Sequence, residues 1–221
     1  MDTALYISVI AVGYLLGSIP TGYLTGKARG VDIRTAGSGN IGATNTFRVL
    51  GKTAGIFVLI VDALKGYVSA RFVPLLAASL FPETRQTTHA EHLAMAAGAA
   101  AVLGHNFTCW LRFKGGKGIA TSCGVVLALV PTAAAIVLVT WSVVCWLSGY
   151  VSVASIVAAV VLPFATWLTG GSSVMVTVMA CLGLLAIIKH RANISRLLAG
   201  TETKIGTVKS GGASTVPGGP K

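Results

Sequence analysis

Glycines and cations concentrate in a short turn at residues 111–118, which reads LRFKGGKG. Consecutive backbone N–H groups in a glycine-rich turn form a concave site that binds anions. A helix that begins after the turn would direct the positive end of its dipole at the same point, and Lys117 adds a mobile charge. These features predict a phosphate site formed by Lys117 with Gly115, Gly116 and Gly118. The pattern of ATP-binding loops, G-x-x-x-x-G-K-[ST], is absent. An anchor for lipid headgroups is the alternative.

A second polar cluster lies at residues 37–48, which read GSGNIGATNTFR. Its glycines permit positive φ and close approach of the backbone to a ligand. Its last residue is an arginine, whose planar guanidinium suits phosphate or carboxylate. The candidate ligand groups are Gly37, Ser38, Gly39, Asn40, Asn45 and Arg48 in this cluster, with His105 and Asn106 just before the glycine turn. A glycine-rich connector at the membrane surface is the alternative interpretation.

The third cluster begins at KHRANISRLLAG, residues 189–200. His190 and Asn193 are three residues apart, so a helix would place both on one polar face able to meet a ligand. A histidine at the end of a span is equally compatible with an interfacial residue that satisfies its own hydrogen bonds. Ser152 and Ser155 have the same spacing and would point together from the start of a later span.

Ionisable side chains within apolar runs are costly in a bilayer and are commonly paired or functional. Asp62 and Lys65 stand at i and i+3, which permits mutual pairing, and we expect a structural ion pair. His89, Glu91 and His92 offer a weak metal pattern that a solvated loop explains better. No metal and no cofactor is therefore predicted.

The long apolar runs that separate these clusters indicate a membrane protein. The 221 residues are 54% hydrophobic and 10% charged, and their mean hydropathy is +0.79. Residues 3–26 and 118–188 contain no Asp, Glu, Lys, Arg or His, and a bilayer span needs about 20 apolar residues. The first run lacks a basic region before it, which favours a span over a secretory leader. We predict an all-α polytopic membrane protein.

Breakers and charges predict seven transmembrane helices. The spans are expected near 4–26, 53–81, 93–111, 118–130, 132–147, 151–168 and 172–188, with breaks at Pro131, at 148–150 and at 170–171. Segments 27–52, 112–117 and 189–221 hold five, three and six of the 17 Lys and Arg residues. The positive-inside rule places them in the cytoplasm, with the N-terminus outside and the C-terminus inside. Five crossings with re-entrant segments remain the alternative.

The domain and its partners follow from this arrangement. Residues 1–205 form one membrane domain, and residues 206–221 are expected to be a flexible tail. The net charge of +11 is spread over short loops. This distribution is typical of residues that orient a protein in the membrane, and it does not indicate binding of nucleic acid.

The motifs of several enzyme classes are missing. The chain has neither the G-x-S-x-G of serine hydrolases nor HExxH, and no histidine starts the H-x-x-x-x-D dyad of one acyltransferase class. Catalysis here would depend on positioning and electrostatic stabilisation, which suits a donor already activated by phosphate. A transporter for a phosphorylated metabolite and a protein that only binds headgroups are the rival classes.

Three long segments resemble one bacterial family. Residues 17–66, 104–121 and 190–202, from GSIPTGY to DALKG, GHNFTCWLRFKGGKGIAT and HRANISRLLAGTE, are similar to the motif regions of acyl-phosphate:glycerol-3-phosphate acyltransferases, the PlsY family. The resemblance implies transfer of a fatty acyl group from acyl phosphate to the 1-hydroxyl of glycerol 3-phosphate, giving lysophosphatidic acid and phosphate. It implies phospholipid synthesis in the bacterial inner membrane.

The resemblance also implies roles for individual residues. Ser38 and Arg48 match an essential pair, the glycine turn with Lys117 matches a loop for glycerol 3-phosphate, and Ser152 and Ser155 match a serine-bearing stretch. His190 and Asn193 match a polar pair, and Glu202 matches a structural glutamate. Thr108 and Val153 depart from the proline and leucine expected there.

The resemblance favours a phosphate oxygen of the donor as the base. His190 would then orient glycerol 3-phosphate together with Arg48 and Asn193. A catalytic base at His190 itself is the alternative.

Overall fold

The structure is a computed structural model that describes residues 2–80 and 90–205, and within these ranges it contains helices and no strand. The helices are α1 (Asp2–Ser18), α2 (Thr21–Lys27), α3 (Ala43–Leu50), α4 (Lys52–Arg71), α5 (Val73–Leu80), α6 (Ala90–Asn106), α7 (Ile119–Leu129), α8 (Pro131–Ser148), α9 (Val151–Leu168), α10 (Ser173–Lys189) and α11 (Arg191–Leu198). The all-helical expectation is confirmed for these residues. The predicted tail at 206–221, most of the outer link and His89 lie outside them.

The predicted breaks in the long uncharged tract are confirmed. Pro131 is the first residue of α8, where its missing N–H costs nothing. Gly149 and Gly170 follow α8 and α9 with φ of 72° and 81°, a conformation that glycine adopts without steric penalty. Ser172 caps α10 by accepting a hydrogen bond from the N–H of Met175 over 3.2 Å.

Several predicted spans are more irregular than the sequence pattern indicated. The first is broken between α1 and α2, and the second is broken at Phe72 between α4 and α5. The third ends at Asn106 and is followed by a 3-10 turn at Cys109–Leu111. The basic segment 27–52 contains α3, so it is only partly a loop.

Three segments of the described chain are long and apolar enough to cross a membrane: Thr3–Lys27, Pro131–Ser148 and Val151–Leu168. The pair α10 and α11, bent by 53°, is a fourth when it is taken as one span. Helix α7 is apolar but has only 11 residues. Large side chains on α8 and α9 face outward, as with Trp146 at 82% and Leu168 at 70% exposure, which suits contact with lipid.

Two side chains of opposite charge, Lys65 and Asp62, form hydrogen bonds to the two sides of the break between α1 and α2. Lys65 Nζ donates to the carbonyl oxygen of Ile19 over 2.9 Å, at the end of α1. Asp62 Oδ1 accepts from Thr21 Oγ1 over 3.0 Å, at the start of α2. The cation therefore lies at a helix C-terminus and the anion at a helix N-terminus, as the helix dipoles favour. The two side chains are themselves 2.9 Å apart.

Small residues let the helices approach closely, as is common in membrane bundles. A Cβ added at Gly17 of α1 would fall 2.0 Å from the carbonyl oxygen of Ala101 of α6. One added at Gly66 of α4 would fall 2.1 Å from the carbonyl oxygen of Thr121 of α7. These contacts bring α1, α4, α6 and α7 together beneath the three polar segments.

Candidate active site

The three polar segments meet around one cavity of about 130 Å³, which we call the central cavity. Of the predicted site residues, its lining includes Ser38, Asn40, Asn45, Arg48, Asp62, His105, Lys117, Gly118, Ser152, Ser155, His190, Asn193 and Glu202. Gly37 lines an adjoining groove, whereas Gly39, Asn106, Gly115, Gly116 and Lys65 line neither space. Positions more than 150 residues apart in sequence thus surround a single small volume.

The adjoining groove, which we call the side groove, has a volume of about 790 Å³. Ser38 and Arg48 line both spaces. The groove combines apolar side chains with cations: Phe47, Ile56, Leu59, Trp141 and Ile205 supply the former, and Arg48, Arg196 and Lys204 the latter. This composition suits a molecule with a charged end and an apolar chain.

Asn45 organises the first polar segment. Its amide nitrogen lies within hydrogen-bond distance of the carbonyl oxygens of Ile33 at 3.0 Å, Ala36 at 3.1 Å and Asn40 at 2.8 Å. Its Oδ1 accepts from the N–H of Ser38 over 2.8 Å. The amide is therefore used within the protein, so Asn45 shapes the turn rather than offering free groups to a substrate.

Two glycines and a second asparagine complete this turn. Gly37 and Gly39 have φ of 59° and 70°, in the region that favours glycine. Asn40 Oδ1 accepts from the N–H of Gly42 over 2.9 Å. Gly39 therefore contributes backbone shape, and Ser38 and Asn40 reach the central cavity.

Helix α3 then directs Arg48 towards the mouth of the cavity. One terminal nitrogen of its guanidinium donates to the carbonyl oxygen of Thr203 over 3.1 Å. Thr203 belongs to residues 201–205, which pass beside the side groove and end with a hydrogen bond from Ile205 N–H to Gly149 O of 2.8 Å. The guanidinium keeps further donors for an anion.

The glycine turn differs from its sequence-based interpretation in one respect. The N–H of Gly115 donates to the carbonyl oxygen of Asn106 over 3.2 Å, and that of Gly116 donates to that of His105 over 3.0 Å. These two N–H groups close the turn and are not available to an anion. The first turn of α7, whose N–H groups have no intrahelical partner, lies at the cavity instead and is preceded by Gly118 with φ of 80°.

Asn106 also supports the turn rather than the cavity. Its carbonyl oxygen accepts from Lys189 Nζ over 2.9 Å, and its side chain is fully buried. Thr108, one of the two departures from the family pattern, donates to the carbonyl oxygen of Ser18 over 2.6 Å. This hydrogen bond satisfies a carbonyl at the end of α1.

A chain of side-chain hydrogen bonds joins the second and third segments. Lys117 Nζ donates to Asn193 Oδ1 over 2.5 Å, and Asn193 Nδ2 donates to Glu202 Oε1 over 2.7 Å. Glu202 also accepts from Ser152 Oγ at 2.9 Å and from Arg196 Nε at 2.7 Å. Glu202 thus accepts hydrogen bonds from three side chains, two on α11 and one on α9. Burial tends to raise its pKa, but these hydrogen bonds lower the pKa below its ordinary value.

The site lowers the pKa of its basic groups. Burial lowers the pKa of Lys117 to about 8, and the neighbouring arginines Arg196 and Arg48 act in the same direction. Burial, with the charge of Lys117, lowers the pKa of His190 to about 4. At neutral pH the imidazole is therefore neutral. Its Nδ1 lies 2.7 Å from the carbonyl oxygen of Ala186, which can only accept, so Nε2 is the unprotonated nitrogen.

Ser155 and Trp141 form one wall. Ser155 Oγ donates to the carbonyl oxygen of Val151 over 2.8 Å and accepts from Trp141 Nε1 over 3.2 Å. Trp141 lies in the long uncharged tract, where no motif distinguishes it from the other aromatic residues facing lipid. The described residues contain no group of three His, Cys, Asp or Glu side chains placed to hold a metal ion.

Known proteins share both the sequence and this fold. The sequence model of the glycerol-3-phosphate acyltransferase family matches residues 7–200. The glycerol-3-phosphate acyltransferase of Geotalea daltonii is 46% identical over 198 residues, which are 89% of this chain and 95% of that protein. The enzyme of the same name from Fusobacterium nucleatum is 43% identical over 200 residues, covering 90% and 97%.

Crystal structures of PlsY, an integral membrane glycerol 3-phosphate acyltransferase, superpose on the chain. The glycerol 3-phosphate form has a TM-score of 0.80 at 38% identity and covers 92% of this chain and 96% of that one. The lysophosphatidic acid form has a TM-score of 0.78 at 37% identity with the same coverage. The chain belongs to the glycerol-3-phosphate acyltransferase family.

Proposed function

We propose that this chain transfers a fatty acyl group from an acyl phosphate to the 1-hydroxyl of glycerol 3-phosphate, giving lysophosphatidic acid and phosphate. The observation that carries the proposal is the meeting of the central cavity and the side groove at Ser38 and Arg48. A small polar substrate fits the first space, an amphiphile fits the second, and their reactive ends would meet at this junction. The forms of PlsY named for glycerol 3-phosphate and lysophosphatidic acid support the acceptor and the product.

The acceptor's phosphate would lie at the start of α7. Lys117 supplies a cation and the first turn of α7 supplies backbone N–H groups directed at an anion. Asn193 and His190 border the same space and would hydrogen-bond the glycerol hydroxyls. Neutral His190 can accept a hydrogen bond through Nε2, which suits an orienting role.

The donor would place its acyl chain against Phe47, Ile56 and Trp141 and its phosphate near Arg48 and Ser38. The 1-hydroxyl oxygen attacks the acyl carbonyl carbon, the bond from that carbon to the bridging oxygen breaks, and phosphate departs. The hydroxyl proton passes to an oxygen of that phosphate, so no separate base is required. Positioning of two substrates and stabilisation of charge supply the catalysis.

In the membrane we propose seven crossings, with the N-terminus outside and the cavity at the cytoplasmic face of a bacterial inner membrane. The pairs α1–α2 and α4–α5 and the helices α6 to α10 would be the seven crossings. Arg48, Lys117 and His190 line one cavity, so the basic segments that carry them would lie on one side of the membrane, which the positive-inside rule assigns to the cytoplasm. Residues 1–205 would be one domain and 206–221 a tail.

An isotope experiment tests the chemistry. Purified protein in detergent receives glycerol 3-phosphate and a long-chain acyl phosphate whose bridging oxygen is ¹⁸O. Attack at the acyl carbon leaves all the ¹⁸O in the released phosphate, together with one lysophosphatidic acid for each phosphate. Label found in free fatty acid, or phosphate release that does not need glycerol 3-phosphate, would contradict the proposal.

A further inference from the structure

A buried carboxylate in the lining of the central cavity is held by two neighbouring side chains. Asp62 is 1% exposed, and its Oδ1 accepts from Thr21 Oγ1 at 3.0 Å and pairs with Lys65 Nζ at 2.9 Å. Lys65 also donates to the carbonyl oxygen of Ile19. The carboxylate is therefore anchored to the break between α1 and α2, which fixes its position relative to α4.

His105 faces this carboxylate from the end of α6. Its Nδ1 lies 3.7 Å from Asp62 Oδ1, which is beyond hydrogen-bond range. This nitrogen is buried and has no hydrogen-bond partner among the described residues. Such groups are rare in folded proteins and call for a partner. A shift of under about 1 Å would bring Nδ1 within hydrogen-bond distance of the carboxylate.

The other side of the imidazole touches the glycine turn. The backbone of Gly116 packs so close to His105 Nε2 that a Cβ added at this glycine would have to displace the ring. The N–H of Gly116 also donates to the carbonyl oxygen of His105 over 3.0 Å. The next residue is Lys117, whose ammonium group reaches Asn193 across the cavity. The ring thus separates a fixed carboxylate from the peptide that carries the proposed phosphate-binding lysine.

We propose that Asp62 and His105 form a positioning pair that sets the Gly116–Lys117 turn for the acceptor's phosphate. The pair deepens the acyltransferase function proposed above and rests on it. Asp62 orients the imidazole through Nδ1. The imidazole packs against Gly116 and so holds the turn in the position from which Lys117 extends into the cavity. Loss of the pair weakens binding of glycerol 3-phosphate because the turn is no longer held, while the groups that contact the reacting atoms stay in place.

Three variants of His105 test the pair in the full chain. His105→Leu keeps an apolar side chain beneath Gly116 but has no nitrogen to donate to Asp62. His105→Asn places an amide nitrogen close to the position of Nδ1. His105→Gln has the same amide, but its longer side chain carries that group farther from the backbone. His92→Leu is the matched control, with the same change near the other end of α6. For each protein kcat and KM for glycerol 3-phosphate are measured with palmitoyl phosphate as donor, and thermal unfolding in detergent monitors the fold.

We expect His105→Leu to raise KM for glycerol 3-phosphate by about tenfold or more, with kcat within about threefold of wild type. The His105→Asn variant should recover part of this loss, and the His92→Leu control should match wild type. An unchanged KM in a folded His105→Leu variant, or a fall in kcat alone, overturns the pair.

If the His105→Leu variant does not fold, the His105→Asn and His105→Gln variants decide. A lower KM for glycerol 3-phosphate in the His105→Asn variant than in the His105→Gln variant supports the pair, and equal KM values in the two variants overturn it. Wild-type protein that forms no lysophosphatidic acid overturns the proposed function instead. An active wild type with normal variants overturns only the positioning role.

Discussion

Asn193 donates its amide N–H to Glu202 Oε1 over 2.7 Å, and this contact determines which end of the amide faces Lys117. The carbonyl oxygen at that end accepts from Lys117 Nζ. Glu202 is fixed in turn by Arg196 and Ser152. The orientation of Lys117 therefore depends on a carboxylate that lies at the far end of a chain of three side chains.

The first prediction concerns this chain. Asn193→Asp replaces the donor to Glu202 with a second carboxylate, so repulsion from Glu202 should break that contact, and the new carboxylate should pair with the Lys117 ammonium group in place of the substrate's phosphate. We expect kcat/KM to fall by about 100-fold or more, since the positioning of a charged binding group is lost. Ala192→Asp adds the same charge at the neighbouring exposed position and should retain most of the activity. Steady-state kinetics on both variants provide the comparison, and equal losses would argue against a specific role for the amide.

The second prediction concerns pH. Burial lowers the pKa of Lys117 to about 8, so the ammonium group is charged below this pH and becomes neutral above it. The KM for glycerol 3-phosphate should therefore rise as the pH increases through about 8, where the substrate's own phosphate, with a pKa of about 6, is already fully charged. Lys117→Arg keeps its charge throughout this range.

The Lys117→Arg variant should therefore show a KM that changes little above pH 8, whatever its absolute value. The measurement is KM at several pH values from about 7 to 9.5 for both proteins. The same alkaline rise in wild type and variant would mean that another group titrates. Lys114→Arg, at an exposed position in the same turn, is the control and should follow the wild-type profile.

The third prediction concerns stability. Thr108→Val removes the hydroxyl that donates to the carbonyl oxygen of Ser18 over 2.6 Å and leaves that buried acceptor unpaired. The expected cost is about 1–3 kcal/mol in the free energy of unfolding. Thr177→Val removes a hydroxyl that only bonds its own helix at an exposed position and should cost much less. Thermal unfolding of both variants in the same detergent tests the difference, and equal melting temperatures would count against the buried contact.

The fourth prediction concerns orientation. A reporter that is active only in the cytoplasm should be active when fused to the C-terminus and inactive when fused to the N-terminus, because the seven crossings that we propose would place the ends on opposite sides of the membrane. The basic segments that contain Arg48 and Lys117 should be protected from a membrane-impermeant reagent applied to intact cells, when each carries a single introduced cysteine. Both ends on one side would require an even number of crossings.

The sequence predicts the helices and the polar segments well because these depend on local pattern. Breaks at Pro131 and Gly149 follow from the backbone preferences of proline and glycine, and the structure shows both. The break at Ile19 was not predicted, although Pro20 follows it, because the apolar run continues across it without a charge. Lys65 and Asp62 of α4 stabilise this break. Their contacts form only when the helices pack, so the local sequence does not predict them.

The sequence predicts which residues lie at the site better than it predicts what each of them does there. Asn45 and Gly116 were expected to offer groups to a substrate, yet their polar groups are used within their own turns. A sequence motif gives no information about which backbone N–H groups already have a hydrogen-bond partner within the protein. The approach of His105 to Asp62 and the wall formed by Trp141 are tertiary contacts between distant positions, so no spacing in the sequence encodes them.

The choice of donor tests the central claim most directly. In the proposed function the two spaces, which share Arg48 in their linings, would hold a small phosphate group and an acyl chain, and neither role would require a carrier protein or a nucleotide. Purified protein with glycerol 3-phosphate should form lysophosphatidic acid from palmitoyl phosphate and none from palmitoyl coenzyme A, with product detected by mass spectrometry. Formation from the coenzyme A ester at an equal rate, or no product from the acyl phosphate, would contradict the account.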